Sequence, residues 1–184
     1  MTPTPFLRRH RRLWHLLQLL DKLLRRSRLM MAGAATLLCA TACITEGNDA
    51  EDIVGVGDVL PHFSVTTLDG ATVTDATLRG TPALIVFFST RCSDCQRELP
   101  VIDAYYRTAR ERGVQVLCIG REESADDVAR YWQQAGLSLP VAPQTDRNVF
   151  ALFATSGIPR VYAVGSDGRI THVWVERIDE GALP

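Results

Sequence analysis

From His62 onward, short apolar runs alternate with segments of helical spacing. Residues 62–75, HFSVTTLDGATVTD, alternate apolar and polar positions about Asp69-Gly70, which predicts a β-hairpin. Residues 83–88, ALIVFF, form a continuous apolar run entered through Gly80-Thr81-Pro82, the pattern of a strand buried on both faces. The next stretch predicts a helix from Cys92 and Cys95 to about Arg112, ended by Gly113, and VQVLCIG at 114–120 predicts a second buried strand. Ser124 can cap a following helix whose first turn holds Asp126 and Asp127, where the helix dipole favours negative charge. Val128, Tyr131, Trp132 and Ala135 fall at helical spacing there, a core stripe, and Gly136 stops it. A further short helix fits DRNVFALFAT at 146–155. It is followed by RVYAV, a turn at Ser166-Asp167-Gly168 and the alternating strand RITHVWV. Strands interleaved with helical crossovers and closed by an antiparallel hairpin give an α/β domain with a mixed sheet.

The chain has 184 residues, 46% hydrophobic and 22% charged, the size and composition of one globular domain. Charge is distributed unevenly. Residues 1–28 hold eight of the 20 Lys and Arg against one of the 21 Asp and Glu, leaving the remainder with 12 basic against 20 acidic residues. That remainder is a poor polyanion binder, so no nucleic-acid partner is expected. The basic lead runs into LMMAGAATLLCATAC at 29–43, which is uncharged and shorter than the ~20 residues of a membrane-spanning helix; it reads as an export signal. Ala40-Thr41-Ala42-Cys43 resembles the lipobox of bacterial lipoproteins, with Ala40 where leucine is more usual. This resemblance implies lipidation at Cys43. The organisation expected is a basic lead and lipoprotein-type signal peptide over 1–43, an acidic flexible tether over 44–56, and the folded domain over 57–184.

Export bears on the cysteines. Of five, Cys39 would leave with the signal and Cys43 would carry lipid, so Cys92, Cys95 and Cys118 remain in a compartment where disulfides persist. Cys118 lies in an apolar strand and reads as a small core residue. Cys92 and Cys95, at i and i+3, share one side of a helix's first turn, close enough to bridge if the first sits at the N-terminus. There the unpaired N–H groups and the positive end of the helix dipole stabilise a thiolate, which makes Cys92 the attacking candidate. A lone CxxC also fits a structural disulfide or half a zinc site. Zinc needs four ligands, and only His62, His172 and Cys118 are available to complete a set, none at finger spacing.

The region from about Gly57 to Val175 resembles the thioredoxin superfamily, specifically the exported, membrane-tethered TlpA/ResA-like thiol-disulfide oxidoreductases. ALIVFF stands where that family has its central strand, and Cys92-Ser93-Asp94-Cys95 where it has its redox pair. Pro100 stands at the family's helix-kinking proline, and Gly157-Ile158-Pro159 matches its cis-proline loop. The fold implied is a thioredoxin-like mixed sheet flanked by helices, with an N-terminal β-hairpin extension. After ITHVWV the family adds a helix, for which ERIDEGALP leaves room for about one turn, so either the domain lacks that helix or the sequence stops short of it.

The resemblance also implies roles. Cys92 would attack a partner's disulfide and Cys95 would resolve the mixed disulfide. Glu98, matching the family's buried acid, would relay the Cys95 proton, while Val86 occupies the place of the thioredoxin-type acid. Ile158 and a cis Pro159 would dock the substrate chain. Arg91, where the family has tryptophan, is a departure that could stabilise the thiolate or alter partner choice. Asp94 between the cysteines should repel a thiolate and favour a reducing couple. The activity expected is an extracytoplasmic reductase of protein disulfides, fed by a membrane electron-donor thiol protein. It would be a monomer lipid-anchored to the inner or outer membrane, with apocytochrome cysteines among the substrates considered. No cofactor beyond its own redox disulfide, and no metal, is expected. Two rival readings are a thiol peroxidase using Thr90 and Arg91 around Cys92, and a non-catalytic copper or zinc carrier using the two cysteines and a histidine.

Overall fold

The computed structural model describes residues 52–184; Cys43 and the leader lie outside the described residues. The predicted hairpin is formed by β1 (Ser64–Thr66) and β2 (Thr72–Thr74), paired antiparallel with Val65 opposite Val73. A five-stranded sheet carries the rest. It comprises β3 (Ala83–Phe88), β4 (Gln115–Gly120), β5 (Val141–Ala142), β6 (Arg160–Val164) and β7 (Ile170–Val175), in the order β5-β4-β3-β6-β7. β3 runs parallel to β4, and β4 to β5, whereas β6 is antiparallel to both β3 and β7, giving the mixed sheet the pattern predicts.

Two helices follow the parallel strands: α1 (Ser93–Ala109) and α2 (Ala125–Ala135). α1 passes into a short 3-10 turn (Arg110–Arg112) closed by Gly113 at φ +80°, where a left-handed residue is required. α2 starts at Ser124, whose side chain accepts from the Asp127 N–H, and stops at the left-handed Gly136. Because strand side chains alternate, β3 divides its apolar run between two cores. Leu84, Val86 and Phe88 pack with Leu99 and Ile102 of α1 and Val128 and Trp132 of α2, so both helices share one face. Ala83, Ile85 and Phe87 face a second core closed by the hairpin's Val65 and by Phe150, Phe153 and Tyr162.

Two expectations change. DRNVFALFAT contains only a 3-10 turn, Phe150–Leu152, instead of a helix. The end of the segment is taken by tertiary bonds: Phe153 O accepts from the Ile53 and Val54 N–H groups and from the Tyr162 hydroxyl, while Ala154 bridges Asp52. Asp52–Val54, within the stretch read as tether, are thus bonded to the folded unit. At the C-terminal side the chain makes one 3-10 turn, Glu180–Ala182, and Ile178 and Leu183 lie over the helical-face core. Among the described residues no helix is long and apolar enough to cross a membrane.

Candidate active site

The site is built at the carboxyl end of β3, where the strand gives way to a four-residue connection and then α1. Cys92 is the N-cap of α1, with extended backbone (φ −88°, ψ 118°), and its Sγ accepts from the Cys95 N–H at 3.3 Å. A thiolate there would take up one of the unpaired N–H groups of the helix start, and the positive end of the helix dipole favours it. Cys92 is half-buried and Cys95 fully buried. Burial pushes the Cys95 thiol far above its ordinary value, reinforced by its hydrogen bond with Cys92 and least by the charge of Asp94. All three cysteines of the described residues are free.

Across from the pair stands the loop before β6. The Ile158–Pro159 peptide is cis, as the family resemblance implies. The Ile158 carbonyl faces Cys92 Sγ at 3.6 Å, close to the reach of a sulfur hydrogen bond. Glu98 is buried one turn along α1 from Cys95, and its two oxygens accept from Arg97 Nε at 2.9 Å and, more weakly, from the Ile178 N–H at 3.4 Å. Arg97 also grips Asp94 at 2.6 Å. The Asp94 charge is therefore paired, and its repulsion of a thiolate is weaker than the sequence suggested.

Arg91 is exposed and points its guanidinium at the Glu122 carbonyl, 3.4 Å away, instead of at Cys92. A cleft of about 370 Å³ opens beside it, between Thr90 and α2 residues Asp127, Arg130 and Tyr131. A larger apolar hollow of about 510 Å³, between Val101, Tyr105 and Leu183, holds none of the candidate residues. The residues considered for zinc are dispersed: His62 bonds Asp75, His172 stacks on Trp174, and Cys118 is enclosed in the core. Among the described residues no three metal-ligating side chains gather.

Two residues escaped the sequence reading. Glu123, only 2% exposed, accepts from Ser89 Oγ at 2.5 Å, Thr90 N at 2.9 Å and Thr90 Oγ1 at 2.8 Å, and so fixes the connection that leads into Cys92. Nothing in Arg121-Glu122-Glu123 distinguishes it from a solvated loop. Arg160, fully buried, lies against the cis-proline loop; the signal for it was a charge inside an otherwise apolar strand directly after Pro159.

The chain is similar to known proteins in sequence and in fold. Thiol-disulfide oxidoreductase ResA of Bacillus thuringiensis (strain Al Hakam) is 26% identical over 115 residues. The alignment covers 62% of this chain and 66% of that relative, just under two thirds of its length. ResA of Bacillus subtilis (strain 168) is 25% identical over 140 residues, 76% of this chain and 73% of the relative. Among solved structures, a thiol:disulfide interchange protein of the thioredoxin family from Chlorobium tepidum TLS superposes with a TM-score of 0.60 at 26% identity, covering 71% of this chain and 92% of that one. Residues 56–173, spanning the hairpin, the cysteine pair and the cis-proline loop, match the AhpC/TSA family, and the chain therefore belongs to that family of thioredoxin-fold proteins.

Proposed function

We propose that the chain is an extracytoplasmic thiol-disulfide oxidoreductase that reduces protein disulfides through a Cys92/Cys95 cycle. The observation that carries this reading is the placement of Cys92: the N-cap of α1, bonded by the Cys95 N–H and facing the carbonyl that precedes a cis-proline. In the cycle, the Cys92 thiolate attacks one sulfur of the substrate disulfide. That bond breaks, and the departing substrate sulfur takes up a proton. Ile158, through its backbone, and Pro159 hold the substrate segment beside the pair. Cys95 then loses its proton, with Glu98 as the relay, and attacks Cys92 Sγ, releasing the second substrate thiol and leaving Cys92–Cys95 oxidised. Two electrons have passed to the substrate, and a donor dithiol protein restores the pair.

The peroxidase reading needs Thr90 and Arg91 turned toward Cys92. Instead the Thr90 hydroxyl donates to Glu123 and Arg91 bonds the Glu122 carbonyl. Export and lipidation at Cys43 complete the proposal and rest on the sequence; loss of radiolabelled fatty acid from the Cys43→Ala chain tests them.

The deciding measurement is the midpoint potential of the pair in the full chain, equilibrated in defined thiol buffers with Cys92→Ser as control. A value below roughly −220 mV supports the reductase, one of about −120 to −180 mV indicates an oxidant or isomerase, and the absence of a reversible couple removes the redox reading.

A further inference from the structure

Arg160 opens β6 immediately after the cis-proline and is wholly enclosed. A guanidinium keeps its charge in a protein, so enclosing one requires acceptors for its nitrogens. Two of the acceptors here belong to the loop itself. Nη2 donates to the Ser156 carbonyl at 2.8 Å and Nε to the Gly157 carbonyl at 3.3 Å, while Nη1 pairs with the Asp52 carboxylate. Gly157 has a φ of +80°, a turn that a side chain would strain. The two carbonyls belong to the residues just before Ile158, whose own carbonyl faces Cys92 Sγ at 3.6 Å. Asp52 is held in turn: it bridges Ala154, and the next residue's N–H bonds Phe153 O at 2.9 Å.

We propose that Arg160 is a positioning residue for the peptide-docking edge, clamping the Ser156 and Gly157 carbonyls so that Ile158 is presented beside Cys92, with Asp52 as its counter-charge. The planar fork of arginine suits two carbonyls and a carboxylate at once, which a lysine ammonium cannot reproduce in the same geometry. The clamp acts on substrate docking and leaves the thiols untouched. It therefore matters for a substrate that pairs with the loop backbone and not for a small disulfide that meets Cys92 alone.

This inference rests on the thiol-disulfide reading, and its test separates the two. The full chain and its Arg160→Thr, Arg160→Lys and Asp52→Asn variants are assayed, in the dithiol form and in single-turnover reactions, with a disulfide-bonded peptide and with 5,5′-dithiobis(2-nitrobenzoate), KM and kcat being the half-saturating concentration and the saturated rate of that turnover. Amide hydrogen exchange is followed at Gly157 and Ile158. The expected result for Arg160→Thr is a peptide KM raised about tenfold, with kcat and the small-disulfide rate within about twofold of wild type. Arg160→Lys fails to restore the KM, Asp52→Asn raises it about threefold, and exchange at the two amides speeds in each variant. Unchanged peptide KM and exchange in folded Arg160→Thr and Asp52→Asn would overturn the clamp, as would an equal loss on both substrates. Where Arg160→Thr does not fold, Asp52→Asn decides by the same two readings. A wild-type chain that reduces neither disulfide defeats the functional reading, while the exchange data still report on the clamp.

Discussion

Replacing Glu123 by glutamine tests whether the entry to the cysteine pair is held by a buried carboxylate. The wild-type side chain accepts three hydrogen bonds, from Ser89 Oγ, Thr90 N and Thr90 Oγ1, at 2.5, 2.9 and 2.8 Å. Glutamine keeps one carbonyl oxygen for the Thr90 N–H and the Ser89 hydroxyl. Its NH2 group faces Thr90 Oγ1, which can rotate to accept. Three neutral hydrogen bonds can thus stand in for three charge-assisted ones, so the change chiefly measures the loss of charge assistance. Bonds to a charged group contribute roughly 1.5–3 kcal/mol each against about 0.5–1.5 for neutral ones, a gross loss of about 3 kcal/mol over three bonds. Removing a buried charge offsets part of this, leaving an expected destabilisation of about 2 kcal/mol. Glu123→Ala instead strips the Thr90 N–H of its acceptor and opens a void, for about 3–4 kcal/mol. Urea unfolding at constant slope gives the stability change. The consequence for the site is read separately. Ser89 O accepts from the Cys92 N–H at 3.2 Å, so a slackened connection speeds amide exchange at Cys92 in Glu123→Gln. A Glu123→Gln chain within about 0.5 kcal/mol of wild type, with unchanged exchange at Cys92, would refute the argument.

Other outcomes follow from the same geometry. Glu98→Gln should slow release of the second substrate thiol from a preformed Cys92 mixed disulfide without slowing its formation; equal rates in the two proteins would leave Glu98 a structural residue. Asp94→Asn, assayed in a Cys92→Ser background, should change the alkylation rate of Cys95 by less than about twofold, because Arg97 already pairs with Asp94 and exposed pairs contribute little. In the native chain iodoacetamide should modify Cys92 before Cys95 or Cys118, both fully buried, and mass spectrometry of peptides reads the order. Asp103 supplies a pH prediction: burial alone would raise its pKa, but bonds from the Ser138 backbone and hydroxyl and from Arg107 hold it below the usual carboxylate value. With the folded value depressed, the stabilisation is present above the unfolded pKa of about 3.9 and is lost as pH falls through the folded value. Asp103→Asn should therefore flatten the acid limb of a stability-against-pH curve below about pH 4, and an unaltered limb would count against it.

Much of the fold was legible because the decisive strands are unusual. ALIVFF has no polar position, so only a two-sided core can accommodate it, and the structure buries all six residues. Ser124 and Gly136 marked both ends of α2 because capping is local chemistry. The failures are tertiary. The apolar spacing of Val149, Phe150 and Phe153 imitates a helix, but these residues are spaced to fill the core under Phe87, and the Phe153 carbonyl is claimed by Ile53, Val54 and Tyr162. β5 is two residues long between Pro140 and Pro143, too short for alternation to register. Glu123 and Arg160 have carboxylate-to-hydroxyl and guanidinium-to-carboxylate partners 33 and 108 positions away in the chain, pairings that no local pattern can encode.

The two thiols are chemically alike and differ in their surroundings, and that difference orders the proposed cycle. Cys92 has an exposed side and a backbone N–H on its sulfur, so it can both meet a disulfide and carry charge. Cys95 has neither exposure nor an easy route to the thiolate, because burial dominates its upward shift. Attack by the wrong cysteine is suppressed, and resolution then requires a proton to leave an enclosed site. Glu98 stands one turn along the same helix face, with one firm bond, to Arg97, and one long bond, to Ile178. Arg97 also holds Asp94 and the Glu176 carbonyl, so one guanidinium serves the two acids on either side of Cys95. On this reading, Asp94 influences the couple chiefly by keeping Arg97 on Glu98, and only weakly by direct repulsion. Exchanging Arg97 for methionine would then alter the pH dependence of resolution more than Asp94→Asn does.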